Sequence, residues 1–160
     1  MPFEVERDVA WTKPVPAPDA TSAEFWRGAA RGELRIQRCP RCGHRQHYPR
    51  ALCTACGAVP EFETARGTGR VHTFTVIRQY GMPPFAKELP YVVAMIELDE
   101  GVRLMANVTG CAVDDVHVGM RVEAYAVAID DELAVPYFRP ARDGDGTQAS
   151  GGAAAPGAGR

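Results

Sequence analysis

Residues 39–57 read CPRCGHRQHYPRALCTACG, and they hold four of the chain's five cysteines in two Cys-x-x-Cys pairs, Cys39 with Cys42 and Cys53 with Cys56. A glycine follows each pair, Gly43 and Gly57. Glycine lets the backbone turn with positive φ, so that amide groups point at the thiolates and both cysteines of a turn face one point. Two such knuckles, ten residues apart, predict a tetrahedral four-sulfur site. One Zn2+ ion suits it best, because four thiolates match a borderline-soft ion with no geometric preference of its own. A rubredoxin-type iron site uses the same ligands, and a pair of disulfides is the metal-free alternative in an oxidising compartment. His44 and His47 lie inside the loop and are read as exposed residues, since four thiolates already fill the coordination sphere. A filled sphere leaves no position for water or substrate, which makes the metal structural.

Outward from the ribbon, the charge is uneven. Seven arginines lie between Arg27 and Arg50 against one acid, Glu33, although the whole chain carries −2. A basic ribbon on an acidic body points to an anionic partner: nucleic acid, a phosphorylated cofactor or an acidic protein face. With 160 residues, 46% hydrophobic and 24% charged, the chain has the composition of a globular protein. No apolar run approaches a membrane span, and MPFEVERDVAW lacks the basic and apolar regions of a signal peptide. The expected location is the cytoplasm.

Before the ribbon, residues 1–20 carry four prolines and no periodicity, which predicts an extended arm whose Phe3, Val5, Val9 and Trp11 dock on a partner or on the body. Thr21-Ser22-Ala23-Glu24 fits a capping box with Thr21 as N-cap, opening a short helix that stops at Gly32. Leu34 and Ile36 alternate with Arg35 and Gln37 as a short strand, and Tyr48-Pro49 begin the return strand to the second knuckle. After the ribbon comes EFETARGTGR, whose Gly67 and Gly69 punctuate the entry into a new element.

Five strands follow: RVHTFTVIRQY (70–80), YVVAMIEL (91–98), VRLMANV (102–108), MRVEAYAVAI (120–129) and AVPYFRP (134–140). Val71, Thr73, Thr75 and Ile77 are expected on one face of the first, and Asp99-Glu100-Gly101 makes the tight turn after the second. The stretch 109–119 connects the third and fourth strands with room for one helical turn. This layout is that of a small Greek-key barrel, the OB-fold. Residues 141–160 have no aliphatic side chain larger than alanine and are expected to be disordered. The chain is thus mainly β: arm 1–20, helix plus ribbon 21–66, OB-fold 67–140 and tail 141–160.

No catalytic constellation is visible. Ser22 and Ser150 are the only serines, no GxGxxG, Walker loop or HExxH occurs, Cys111 reads as a small buried residue, and His72 and His117 read as structural.

The stretches FWRGAARGELRIQRCPRCGHRQHYPRALCTACG, GTGRVHTFTVIRQ, VGMRVEAYAV and PYFRP together resemble the acyl-CoA-associated zinc-ribbon/OB-fold family, domain of unknown function 35, over residues 21–140. The resemblance implies an accessory subunit, without catalytic residues of its own, that stabilises a thiolase-superfamily enzyme acting on acyl-CoA, a thiolase or a retro-aldolase that shortens steroid side chains, in a two-plus-two assembly. In some members the domain is fused behind a hot-dog hydratase. Arg38, Arg41 and Arg45 are then candidates for contact with the acyl-CoA phosphates or an acidic partner, and Phe25 and Trp26 for anchoring to the partner, against a plain packing role on the barrel. The alternative is a zinc-ribbon/OB-fold module that binds single-stranded nucleic acid. It is disfavoured because the barrel segment is acidic and its aromatics are not interleaved with cations.

Overall fold

The structure is a computed structural model; residues 2–79 and 83–142 are described. The chain forms β1 (Val5–Glu6), α1 (Ala23–Ala30), β2 (Leu34–Arg38), β3 (Arg45–Gln46), β4 (Glu61–Ala65), β5 (Thr68–Ile77), β6 (Tyr91–Leu98), β7 (Arg103–Val108), β8 (Arg121–Ala128) and β9 (Ala134–Pro140). Short 3-10 turns occupy Phe85–Glu88 and Val113–Asp115. Tyr80, the last residue of the first expected barrel strand, and the tail from residue 143 lie outside the described residues.

The five expected barrel strands all form. Antiparallel pairings β5–β6, β6–β7, β8–β9 and β5–β8, with a single parallel contact between Val108 of β7 and Phe138 of β9, close them into a barrel. The expected turn is present: the Gly101 N–H donates to the Leu98 carbonyl at 2.8 Å. One expected face is wrong. A bulge between Val71 and Thr73 shifts the register of β5 against β6. Val71 therefore points inward, and beyond the bulge Phe74 and Val76, not Thr73 and Thr75, pack on the core. The extra residue flips every later side chain to the opposite face.

The segment between the ribbon and the barrel, to which the sequence pattern assigned no strand, contains β4. It pairs antiparallel with β2 from Leu34↔Ala65 to Arg38↔Glu61, making a three-stranded ribbon sheet in the order β3-β2-β4. The return strand lies earlier than expected, at Arg45–Gln46; Tyr48 and Pro49 are in the bend that follows.

The capping box does not form. Ser22 is the N-cap of α1 and makes no side-chain capping bond into the helix. Instead the Asp19 carboxylate accepts from the Thr21 N–H, the Ser22 N–H and the Ser22 hydroxyl at 3.0, 2.7 and 2.7 Å. Asp19 satisfies these donors just ahead of the helix, and its negative charge suits a helix start. Gly28, a weak helix residue, sits under the Arg35 side chain: a Cβ there would lie 2.2 Å from Arg35 Cγ.

The largest core cluster joins ribbon and barrel. Phe25 of the helix, Leu34 and Ile36 of β2 and Ala65 of β4 are buried together with Val71, Val92, Ile96, Leu98, Leu104, Val122 and Phe138 of the barrel. Burying a side chain such as Phe138 or Ile36 contributes roughly 1.5–3 kcal/mol. The arm docks on the body: β1 pairs parallel with β8, Phe3 and Val5 pack on alanines of α1, β8 and β9, and Trp11 packs beside Tyr125 and Tyr137. Among the described residues no helix is long and apolar enough to cross a membrane.

Candidate metal centre and surrounding surfaces

Each knuckle is closed by the same two backbone bonds. The Gly43 N–H donates to the Cys39 carbonyl and the Cys39 N–H to the His44 carbonyl; Gly57 with Cys53, and Cys53 with Ala58, repeat the pattern at 2.7–2.9 Å. Gly43 and Gly57 have φ of 74° and 73°, the left-handed conformation that glycine adopts without strain. The two turns bring all four sulfurs within 4.8 Å of one another. Sγ of Cys39 lies 3.5 Å from that of Cys56, and Sγ of Cys42 lies 3.7 Å from that of Cys53. Zinc–sulfur bonds of 2.3 Å in a tetrahedron put sulfurs about 3.8 Å apart, whereas a disulfide needs about 2.05 Å. All four cysteines are free. The four sulfurs are positioned to hold one metal ion with no open coordination position.

As free thiols the sulfurs are inequivalent. Burial raises the Cys39 thiol, but the N–H groups of Cys42 and Arg41 and the Cys56 thiol outweigh it, so its pKa falls. The Cys42 thiol rises: the His44 N–H works against the shift, and Cys56, burial, Cys39 and Cys53 prevail. Metal ligation requires thiolates, so binding of a cation would be coupled to release of their protons.

The loop between the knuckles rests on two buried glutamines that the alternation did not reveal. Gln37 and Gln46 face each other across β2 and β3 and are 3% and 7% exposed. Gln46 Nε2 donates to Gln37 Oε1 at 2.8 Å. Gln37 then holds both sides of Arg50, accepting its N–H at 2.8 Å and donating to its carbonyl at 3.0 Å. Gln46 accepts the Thr54 N–H at 2.9 Å and donates to the Leu52 carbonyl at 3.3 Å. The loop thus presents Tyr48 and Leu52 to solvent, each 54% exposed.

His44 is exposed and meets the Thr54 hydroxyl at 3.1 Å. His47 departs from the expectation of an exposed residue: its ring packs 5.0 Å from the Phe25 ring, its Nδ1 is buried without a partner, and burial lowers its pKa to about 4. It is a half-buried residue whose surroundings favour the neutral ring. Phe25, a candidate anchor, faces the core at 5% exposure. Trp26 packs edge-on against Phe25, with centroids 5.0 Å apart, and is half-buried.

Much of the basic charge is neutralised locally. Arg31 and Arg35 pair with Glu24 at 2.7 and 3.2 Å, and Arg38 and Arg45 share Glu63. Arg27, Arg41 and Arg50 are exposed and have no acidic partner among the described residues.

The arm also borders a groove of about 400 Å³ lined by Trp11, Lys13, Cys111, Tyr125 and Tyr137. Lys13 Nζ donates to the Tyr137 hydroxyl at 2.7 Å and pairs with Glu88 at 2.9 Å. Burial opposes its charge, but those two partners more than compensate and raise its pKa. Cys111 is half-buried, with its thiol pushed up by burial and then by Asp115, so the thiolate of a nucleophile is disfavoured. His72 lies 4.0 Å from Glu97 across β5 and β6, a neighbour that chain spacing did not reveal.

Residues 26–61 match the family described as the ChsH2 rubredoxin-like zinc ribbon domain, and residues 63–127 the ChsH2 C-terminal OB-fold domain. The chain is similar to a solved chain titled "Ltp2-ChsH2(DUF35) aldolase", with 38% identity and a TM-score of 0.72, covering 79% of this chain and 98% of that one. It is 40% identical over 131 residues to a probable enoyl-CoA hydratase alpha subunit of Thermomonospora curvata, covering 81% of this chain and 40% of that protein. It is 32% identical to the 3-oxo-4,17-pregnadiene-20-carboxyl-CoA hydratase alpha subunit of Mycobacterium tuberculosis, covering 72% of this chain and 37% of that protein. The chain therefore spans well under half the length of these two subunits. With a zinc ribbon and an OB-fold each matching its ChsH2 counterpart, and with sequence and fold shared along nearly the whole of a DUF35 chain, this protein belongs to the DUF35 family.

Proposed function

We propose that this chain is a non-catalytic accessory subunit that binds and stabilises a thiolase-superfamily enzyme acting on acyl-CoA. It helps to form that enzyme's acyl-CoA site, and the enzyme is a thiolase or a retro-aldolase of steroid side-chain degradation. The observation that carries the reading is the similarity along 98% of a chain titled as part of an aldolase. The pregnadiene-carboxyl-CoA subunit among the relatives supports the steroid branch. The metal has a structural task here, because a closed tetrathiolate site orders the ribbon without offering a coordination position to substrate. The exposed Arg38 and Arg41 and the half-buried Trp26 are the surface groups assigned to the partner or to acyl-CoA phosphates. Arg45 is tied to Glu63 and contributes through the field it shares with them.

Co-expression with a thiolase-like companion and light scattering on the purified product tests the proposal. The expected result is a two-plus-two complex whose companion loses activity or solubility when produced alone. A companion that is fully active and soluble alone, and shows no association at micromolar concentration, contradicts it.

A further inference from the structure

A second cleft, of about 490 Å³, lies where the ribbon meets the β6–β7 turn of the barrel. Its walls include His44, Arg45, Tyr48, Arg50, Glu97 and Arg103. Three guanidinium groups face one carboxylate. Arg103 spends its Nε–H on Glu97 at 2.7 Å, and Arg45 spends its Nε–H on Glu63. The terminal amino groups of both have no hydrogen-bond partner among the described residues, and Arg50 has no acidic partner there at all. Held by one edge, a guanidinium keeps a planar pair of donors for a second anion.

The supports are rigid. Arg50 is fixed at both its N–H and its carbonyl by buried Gln37. Arg45 lies on β3, and Arg103 opens β7 directly after the tight turn. These anchors fix the backbone from which each arginine side chain starts, which reduces the ordering that ligand binding demands. His47 is neutral and adds no charge; His44 and the Thr54 hydroxyl add further polar groups at the wall. Tyr48, half exposed at the cleft, offers a flat ring beside the cations.

We propose that this cleft is an oxyanion site that binds the phosphate or diphosphate group of a small phosphorylated molecule, with Arg50 and Arg103 as its principal donors. The inference does not depend on a catalytic companion and is tested on the zinc-loaded chain alone. Pyrophosphate is titrated by calorimetry at low salt. Saturable binding to one site is expected, weakened at least ~10-fold by Arg50→Ala and by Arg103→Ala and changed less than ~2-fold by Arg27→Ala, which removes an exposed arginine of α1 outside the cleft. Arg50→Lys keeps the charge without the fork and is expected to bind more weakly than wild type. Zinc content and thermal midpoint, measured on each variant, separate lost binding from lost folding. A second arm uses ADP: binding tighter than pyrophosphate and reduced by Tyr48→Ala identifies a nucleotide-type ligand, whereas equal binding identifies a bare phosphate group. Absence of saturable binding, or an Arg27→Ala loss as large as that of Arg50→Ala, overturns the proposal.

Discussion

Gln37 shows what a residue-level pattern hides. In β2 it alternates with Leu34 and Ile36 and so reads as solvent-facing, yet it is 3% exposed because the knuckle loop folds over that second face and uses its amide. The cysteines declared themselves because metal ligation fixes residue type and spacing together. A structural amide carries no such signature, since glutamine is common on surfaces. Truncation leaves the Arg50 N–H and the Gln46 amide short of partners, so Gln37→Ala is expected to destabilise the folded protein by about 1–3 kcal/mol, read as a drop in denaturation midpoint with zinc saturating. His47 was hidden by the same loop. Its folded pKa of about 4 lies below the ordinary 6.5, so the fold keeps the ring neutral where an unfolded chain would charge it. That contribution is complete above pH 6.5 and is lost as the pH falls from 6.5 toward 4. The thermal midpoint of zinc-saturated protein should fall across this window, and less steeply in His47→Leu; parallel curves would show that another group dominates.

At the scale of elements, the barrel strands were legible because β-branched runs and turn residues agree with each other along 70–140. β4 was not. Its Glu61-Phe62-Glu63-Thr64 alternation is short, charged and followed closely by Gly67 and Gly69, and its reason to be a strand lies across the ribbon, where Glu63 meets Arg38 and Arg45. β1 is two residues long and exists only because β8 offers a free edge. The bulge in β5 was equally silent, as no glycine or proline marks it. Asp99 joins elements whose order was readable but whose fastening was not: both its oxygens accept from Arg121, at 2.7 and 3.2 Å, and Thr68 donates a third bond. Arg121 first, and then Thr68, outweigh burial and hold the carboxyl at about 2. Asp99→Asn is expected to cost about 1–3 kcal/mol near neutral pH. The loss relative to wild type should shrink as the pH falls from 3.8 through 2, where the native carboxylate itself becomes protonated. A constant difference across that range would show that charge is not what fastens the turn.

Across the whole molecule, ribbon and barrel share one hydrophobic core, so the metal and the barrel stabilise a common structure. Phe25 sits where helix, ribbon and barrel meet. Phe25→Ala is expected to cost about 3–5 kcal/mol and to lower the midpoints of ribbon and barrel signals together; a loss confined to the ribbon would show two independent units. The sequence pattern located the metal ligands because each pair is local, but the cleft around Arg50 and Arg103 joins residues 53 positions apart and becomes visible only once the turn after β6 meets the ribbon.

A tetrathiolate metal site orders the front of the molecule, and metal analysis of protein purified under reducing conditions tests this most directly. One zinc per chain is expected, lost in Cys53→Ser together with the ordered ribbon. Protein that contains neither zinc nor iron yet keeps its native fold would contradict it.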